Sequence, residues 1–423
     1  MSDRAARFVR AQIDQLREGG LPVLARKTAK ALALALALLP ALLLLALQRV
    51  VRPLRLLRLA PLRSERISHF ASNTEVYLCE RDAGLHPPAI DLFFCADKVS
   101  NPALARMWGR AVGMWPVWLS AVPQVALAIG RRLPNAQDYI APILENRGRD
   151  IEGLLASTPP HLAFTEVEEA EGQRGLRALG VPEGAEFVCF HVRDPAYLSA
   201  EFSAVDWGYM SHRDATLESH VPAAEALAEL GYWVIRMGSV VASPLPATHP
   251  RVIDYPLSGL RSDLMDLYLG AKCRFYFGTD SGIWAVSGIF RRPIVFSSYS
   301  MIGAFQTWGW NYIHVPALLR RAADGSLVPF AEIAERRLAI LDTNERLEQE
   351  GVVLVHSAPE VIVDAVLEMD ARLSGAWVET PEDAAMQRRC WELLSPVVEH
   401  PERGGISTRV AAGLLKRHPE LLA

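Results

Sequence analysis

The amino-acid sequence predicts an α/β protein in which parallel sheets are covered by helices. Half of its 423 residues are hydrophobic, so the chain is long enough and apolar enough to bury extensive cores. From residue 187 onward, short apolar strands with few alternating polar residues are separated by helical segments. Strands of this kind are buried on both faces, which is typical of a parallel sheet in a Rossmann-like domain.

The N-terminal segment has a different composition. Residues Ala31 to Leu47 (ALALALALLPALLLLAL) are uncharged, with arginines and lysines on both sides. A helix of this length reaches about 25 Å, a marginal span for a bilayer, and Pro40 would kink it. Basic flanks on both sides favour a helix anchored in, or lying on, the anionic inner leaflet at the cytoplasmic face of the cytoplasmic membrane. The alternative is a helix buried inside the protein.

The alternation of elements predicts four regions. Residues 1–62 form the N-terminal basic and hydrophobic membrane-associating helix. Residues 63–175 form a Rossmann-like acceptor domain, in which Ala89 to Ala96 (AIDLFFCA) is a buried strand followed by a helix at Asn101 to Val112. Residues 176–375 form a second Rossmann-like domain, which holds the donor, and residues 376–423 form a helical tail.

The second domain carries the most regular pattern. Its strands are predicted at Phe187–Arg193, Tyr232–Gly238, Arg251–Tyr255, Arg274–Gly278 and Pro293–Ser297. Parallel strands place their carboxyl ends at one edge of the sheet, where open α/β sheets bind ligands. Polar residues at these strand ends are therefore the candidates for ligand binding.

A polar turn, Thr279-Asp280-Ser281-Gly282, follows one predicted strand directly after Gly278 and separates two apolar segments. A strand-to-helix turn of this composition lets backbone N–H groups approach a phosphate. The same residues also make an ordinary helix N-cap, so the turn alone leaves both interpretations open.

Three other strand ends favour the phosphate interpretation. Arg193 ends the first predicted strand, Arg236 and Gly238 end the second, and Asp254 lies at the end of the third. Two guanidiniums beside the polar turn would suit a diphosphate. Either arginine by itself is more often a surface salt-bridge partner.

Several motifs together resemble a known family. FHVRDPAYL, HRDA (212–215), VIRMGS, VIDYPLSGLRSDLMDLYLGAKCRFYFGTDSG and ISHFASNTEVYLCERDAG are similar to a TIGR-type glycosyltransferase family of bacterial surface-polysaccharide and glycosylation loci. The similarity runs from about Arg66 to Pro329. More distantly, HVRD and TDSG resemble elements of nucleotide-diphosphate fucosyltransferases with the GT-B fold. The resemblance implies two Rossmann-like domains facing a cleft, with a nucleotide-sugar as donor substrate and a glycan, lipid-linked or protein acceptor.

The resemblance also implies roles for single residues. Arg193 would contact the donor diphosphate, beside the turn Asp280-Ser281-Gly282. The other matching positions are Arg236, Gly238, Arg261, Ser262 and Asp263. Ser68 stands where the family is expected to have glycine, and its side chain would narrow the cleft on the acceptor side.

Sugar transfer also requires stabilisation of the leaving diphosphate and a base for the acceptor hydroxyl. The chain has no Asp-x-Asp motif, so arginines and a helix N-terminus replace a metal, and no cofactor is expected. The candidate bases are Asp194, His191, His69 and Glu75. Asp194 has the alternative role of orienting Arg193, and Glu75 that of pairing with a basic group.

Composition narrows the other functions. The net charge of -4 gives no basic field for nucleic acid, and the five cysteines form no C-x-x-C pair. The turn lacks the Gly-x-Ser-x-Gly spacing of a serine hydrolase. A non-catalytic, membrane-associated nucleotide-sugar-binding or scaffold protein is the remaining alternative. The aromatic pair Trp308 and Trp310 would stack on a sugar or base, or belong to the core or to an interdomain hinge.

Overall fold

The computed structural model describes residues 25, 28–29, 32–96, 98–201, 206–307, 309, 311–399 and 406–423. An apolar helix with a mean hydropathy of 2.2 opens the described chain and is long enough to cross a membrane. The elements of the N-terminal half are α1 (Leu32–Val51), β1 (Leu56–Leu62), α2 (Ile67–Asp82), β2 (Ala89–Cys95), α3 (Pro102–Val112) and α4 (Ala121–Gly130).

The N-terminal sheet is small. Strands β1 and β2 pair in parallel along their full length, and a single bridge joins Leu59 to Ile140. Alternate residues face opposite sides because successive side chains in a strand point to opposite faces. Phe93 packs with α2 and α3 on one side, whereas Leu59 and Phe94 pack with α1 and α4 on the other. The result is a sheet between two helical layers.

The C-terminal half contains a seven-stranded parallel sheet in the order β11-β8-β7-β6-β3-β4-β5. Its strands are β3 (Phe187–His191), β4 (Trp233–Arg236), β5 (Val252–Asp254), β6 (Tyr276–Gly278), β7 (Ile294–Tyr299), β8 (Tyr312–Pro316) and β11 (Arg409–Val410). Helices α5 (Glu166–Ala178), α6 (Ala196–Glu201), α7 (Val221–Glu229), α8 (Asp263–Lys272) and α9 (Trp284–Ile289) lie between these strands or lead into them. The strand order reverses between β3 and β6, which makes this point the expected ligand site of a doubly wound sheet.

The end of the chain returns to the same core. Strands β9 (Leu318–Arg321) and β10 (Val352–Val355) form an antiparallel pair. The remaining helices are α10 (Phe330–Glu335), α11 (Asn344–Gln349), α12 (Pro359–Ser374), α13 (Pro381–Leu394) and α14 (Ala412–Arg417). Cys390, Val410 and Leu415 are fully buried, so the segment predicted as a helical tail is part of the domain and also supplies an edge strand.

The predicted fold class, α/β with parallel sheets and an apolar helix near the N-terminus, is confirmed. Two details differ from the sequence prediction. Strand β1 lies inside the segment 1–62 that was predicted to be a membrane-associating helix. The N-terminal half has only two paired strands and one bridge among the described residues. The four-region division itself stays a prediction, and one hydrophobic cluster joins Phe70 and Trp108 to Leu267 and Val286 across the two halves.

Candidate functional site

A cavity of about 460 Å³ lies where β3 and β6 end and α2 begins. Six arginines line it, and only three aspartates do, so the formal charge of its wall is positive. The arginines are Arg66, Arg147, Arg149, Arg193, Arg213 and Arg261, and the aspartates are Asp194, Asp266 and Asp280. A positive cavity at the reversal point of the sheet is suited to an anionic ligand.

The polar turn after β6 is held in place by its neighbour β3. Gly278 has a φ of 151°, and a Cβ at this position would lie 2.1 Å from the carbonyl oxygen of His191. The Thr279 hydroxyl accepts the backbone N–H of Arg193 at 2.8 Å, and the Thr279 N–H donates to the His191 carbonyl. Glycine is therefore required at 278, and Thr279 connects the two strand ends without lining the cavity.

The turn does not cap the following helix with its side chains. Helix α9 begins at Trp284, and its N-cap residue is Ile283 rather than Ser281. Asp280 instead accepts hydrogen bonds from Arg213 at 3.1 Å and from Ser300 at 2.7 Å. The side chains that the N-cap interpretation would use are thus turned toward the cavity and its arginines.

Gly282 marks the contact between the two halves. A Cβ at Gly282 would lie 3.3 Å from both the Cβ and the Oγ of Ser68, in the first turn of α2. Ser68 therefore packs closely against the turn at Gly282. No side chain caps the N-terminus of α2, which borders the cavity through Ile67, Ser68 and His69.

Two arginines of the second half reach the cavity from different loops. Arg193 contacts Asp214 at 3.0 Å and exposes 14% of its side chain. Arg213 contacts Asp280 and exposes 18%. Each guanidinium makes few of its five possible hydrogen bonds to these partners, so donors remain for a ligand.

His69 has the geometry of a neutral base. Its Nδ1 lies 3.0 Å from the Oδ1 of Asn73, whose Nδ2 donates to the carbonyl of Ile143. Because the amide orientation of Asn73 is fixed in this way, Nδ1 of His69 carries the proton and Nε2 is the acceptor. Burial lowers the pKa of His69, which keeps the ring neutral near pH 7.

The other three candidate bases are less suitable. Both carboxylate oxygens of Asp194, which lines the cavity, accept backbone N–H groups, from Ala196 and Ala242. Burial lowers the pKa of His191 to about 4, so this cavity-lining ring is a weak base. Glu75 does not line the cavity and pairs with Arg291 at 2.7 Å.

Some predicted phosphate-binding residues also lie outside the cavity wall. Arg236 is buried, donates to the Ser243 carbonyl at 2.7 Å and pairs with Asp254 at 3.2 Å. Arg261 does line the cavity, where it contacts Asp266 at 2.7 Å. Asp263 forms a second ion pair with Arg261 at 3.4 Å but does not line the cavity itself. The predicted residues that the structure brings together in the cavity wall are His69, His191, Arg193, Asp194, Gly238, Arg261, Asp280, Ser281 and Gly282.

Four arginines of the cavity wall were not predicted from the sequence as site residues: Arg66, Arg147, Arg149 and Arg213. Arg213 lies in the HRDA motif, which contributed to the resemblance but received no role. Arg147 and Arg149 flank Gly148 in a loop packed against α2, and a Cβ at Gly148 would lie 2.9 Å from the Cβ of Ser72. Trp308 and Trp310 lie outside the described residues.

One cluster has the composition of a metal site. Potential ligand atoms of Glu75, Cys79 and His161 lie within 4.8 Å of one another. The guanidinium of Arg291 approaches Glu75 at 2.7 Å and the Cys79 sulfur at 3.7 Å. Although burial lowers the pKa of His161, hydrogen bonds to Cys79 and Glu75 raise it to about 10. An arginine and a protonated histidine make the cluster an ion-pair network rather than a cation site.

The sequence matches no protein-family model and no curated protein. Three solved glycosyltransferase structures are similar to this chain. A glycosyl transferase family 9 protein from Veillonella parvula is 12% identical, with a TM-score of 0.41, over 75% of this chain and 97% of that chain. E. coli ADP-heptose heptosyltransferase II is 13% identical, with a TM-score of 0.33, over 61% and 90% of the two chains. Spinosyn forosaminyltransferase SpnP is 13% identical, with a TM-score of 0.27, over 86% and 99%. Since all three TM-scores lie below 0.5, the interpretation of the site depends on its own geometry.

Proposed function

We propose that this protein is a metal-independent glycosyltransferase with a GT-B-like arrangement. It moves a sugar from a nucleotide-diphosphate donor to a glycan, lipid-linked or protein acceptor in bacterial surface glycoconjugate synthesis. The observation that carries the proposal is the convergence of Arg193 and Arg213 on the Asp280-Ser281-Gly282 turn, at the reversal point of the sheet. This arrangement supports binding of a diphosphate, the leaving group of such a donor.

The donor diphosphate lies against this turn. Gly282 has no side chain to obstruct the approach of a phosphate, and the two guanidiniums supply charged donors as negative charge develops on the leaving oxygen. The Oδ1 of Asp280 has no hydrogen-bond partner among the described residues and is an acceptor for a donor hydroxyl. The membrane-proximal location predicted from the N-terminal helix agrees with a surface-glycan pathway.

The acceptor hydroxyl is deprotonated by His69. The ring lines the cavity from the N-terminal half, and because Nδ1 is hydrogen-bonded to Asn73, Nε2 is the acceptor atom. Its lowered pKa leaves it unprotonated at neutral pH, which a general base requires. After transfer, the proton lies on Nε2 and the nucleoside diphosphate carries the electron pair of the broken glycosidic bond.

A two-stage experiment tests this function. Thermal shifts of the full chain are measured first with uridine, guanosine and adenosine diphosphates and their sugars, since a bound ligand stabilises the folded protein. Nucleoside diphosphate release is then measured for wild type and His69→Gln, with and without EDTA. We expect binding by both proteins, turnover by wild type alone, and no loss on chelation.

Other outcomes would contradict parts of the proposal. Binding without turnover by wild type, with any acceptor extract, would favour the non-catalytic nucleotide-sugar-binding alternative. Full activity of His69→Gln would exclude His69 as the base. Loss of activity with EDTA and its return with magnesium would show that a metal stabilises the diphosphate.

A further inference from the structure

Helix α1 has two different faces. Ala37, Ala41, Leu45 and Gln48 are each at most 4% exposed, and their spacing of three or four residues places them on one side of the helix. The opposite side, the outer face, is a continuous ridge of exposed, large apolar side chains. These are Leu32, Leu36, Leu39, Leu43, Leu47 and Val50, each at least 50% exposed.

The inner face is part of the protein core. Ala41 and Leu45 pack in one cluster with Leu59 of β1, Phe94 of β2 and Ala126 of α4. At the C-terminal end of α1, the buried amide of Gln48 donates to the carbonyl oxygens of Leu57 and Tyr139 at 3.1 and 3.2 Å. The helix is therefore fixed along the surface of the N-terminal half.

Two features beside the outer face point to its partner. Trp118, in the turn that leads into α4, is 81% exposed, and tryptophan favours the interface between water and lipid. Exposed arginines follow both helices of this layer, with Arg52 and Arg55 after α1 and Arg131 and Arg132 after α4. An apolar ridge bordered by cations complements an anionic lipid surface in both polarity and charge.

We propose that α1 docks this protein on an anionic bilayer while lying in the membrane plane, so that its outer leucine face is immersed and its inner face stays on the domain. The ridge is about 30 Å long, because 20 helical residues rise 1.5 Å each. The proposal is independent of sugar transfer, since it uses a surface formed by α1, α4 and the turn at Trp118.

Spanning is incompatible with the same contacts. A spanning α1 would leave the domain, which would expose Leu59 and Phe94 to water. It would also carry Gln48 into hydrocarbon without its two carbonyl partners. In-plane docking retains every one of these contacts and covers only the side chains that are already exposed.

Binding to vesicles provides the first test. The full chain is sedimented with phosphatidylglycerol–phosphatidylcholine vesicles and with pure phosphatidylcholine vesicles. We expect at least tenfold tighter binding to the anionic vesicles, and a loss of at least tenfold in the double variant Leu36→Glu/Leu43→Glu. The matched control is Leu230→Glu/Leu257→Glu, which alters two leucines, each 55% exposed, away from α1 and should bind as wild type does. Equal binding by both double variants would overturn the proposal.

A topology measurement separates docking from spanning. The five native cysteines are buried, so cysteines introduced singly by Ala25→Cys and Leu54→Cys, before and after α1, report access to a membrane-impermeant maleimide. We expect both to react when the reagent is added to inverted membrane vesicles and neither to react in intact spheroplasts. Reaction of the two positions from opposite sides would show a span. A dimer in solution that Leu36→Glu/Leu43→Glu dissociates, with no vesicle binding by wild type, would assign the ridge to a second copy of the chain instead.

Discussion

The Nη2 atom of Arg213 lies 3.1 Å from both the carboxylate and the carbonyl oxygen of Asp280. Ser300 donates to the same carboxylate oxygen at 2.7 Å. The side chains of Arg213 and Asp280 are 18% and 6% exposed, so the pair is largely removed from water. This pair fixes the polar turn to a second loop and orients one of the cationic groups of the cavity.

Arg213→Ala should therefore affect stability and binding together. Removing one partner leaves the Asp280 carboxylate uncompensated, and we expect the free energy of unfolding to fall by about 3 kcal/mol. Nucleoside diphosphate binding should also be lost, since an unpaired carboxylate then faces the phosphate. Urea denaturation and calorimetric titration measure the two effects. Arg213→Ala with wild-type affinity would show that the ligand lies elsewhere.

Arg193 and Arg236 form a matched pair for the binding site, because one lines the cavity and the other is buried behind it. Arg193→Ala should weaken diphosphate binding by about 1.5 to 3 kcal/mol, the contribution of a hydrogen bond to a charged group, with a small change in stability. Arg236→Ala should lower stability by breaking its pair with Asp254, while the folded fraction binds as wild type does. Loss of binding in Arg236→Ala together with wild-type binding in Arg193→Ala, measured by titration and melting curves, would place the phosphate site beside β4 instead.

The contact between Gly282 and Ser68 can be tested by a double-mutant cycle. Gly282→Ala would place a Cβ 3.3 Å from the Ser68 side chain, tighter than an ordinary van der Waals contact, so Ser68 must shift slightly. We expect reduced turnover in Gly282→Ala and partial recovery in Gly282→Ala/Ser68→Gly, because the contact with Ser68 is relieved while the alanine methyl still faces the phosphate. Ser68→Gly alone should be nearly neutral. An absence of recovery in the double variant would show that Gly282 acts through the ligand and not through Ser68.

The sequence predicted which edge of the sheet carries the site more accurately than it predicted which side chains line the site. Strands β3 and β6 are recognisable because they are short uninterrupted apolar runs, and the residues that follow them must meet at one edge of a parallel sheet. Arg193 and the turn at Asp280 were found in this way. Arg236 ends a strand equally well, but β5 lies next to β4 and supplies Asp254, a pairing that depends on strand order and not on local sequence.

Residues outside the strand ends were harder to predict. Arg213 ends a short 3-10 helix (Gly208–Arg213) between α6 and α7, where no apolar periodicity indicates which way a side chain faces. His69 and Glu75 both lie on α2, and six helical residues place them on different sides, one toward the cavity and one toward Arg291. For α1, an Ala/Leu run is equally compatible with lipid and with a protein core. Only the polar Gln48, just beyond the run, distinguishes the inner face.

The buried side chain of Gln48 should contribute measurably to the stability of the contact between α1 and the domain. Gln48→Ala removes both hydrogen bonds to the carbonyls of Leu57 and Tyr139, which should cost about 2 kcal/mol of unfolding free energy, since each such bond contributes about 1 kcal/mol. Urea denaturation of the full chain in detergent measures this loss, and Leu47→Ala on the exposed face is the control that should change stability little. Wild-type stability of Gln48→Ala would mean that α1 separates from the domain in solution.

The buried ring of His220 should make the free energy of unfolding depend on pH. Its ring is fully buried, with Nε2 2.7 Å from the hydroxyl of Ser297, and burial lowers its pKa to about 4. The unfolded chain, with an ordinary histidine pKa near 6.5, binds more protons below that pH, so the contribution of a neutral His220 is present above pH 6.5 and is lost as pH falls toward about 4. By about pH 5 the wild-type protein should have lost roughly 2 kcal/mol through this ring alone.

The variant His220→Gln measures the pH-dependent contribution of this ring to stability. Near neutral pH the variant should be less stable than wild type by about 1 kcal/mol, the value of a lost hydrogen bond, because Gln only partly replaces the ring beside Ser297. At about pH 5 it should equal or exceed wild-type stability, since it has no proton to bind. Urea denaturation at both pH values measures the change. His220→Asn should start from a different neutral-pH deficit but show the same shift between the two pH values, because the shift belongs to the wild-type ring. A stability difference that is constant with pH would mean that His220 is already protonated, or freely hydrated, in the folded protein.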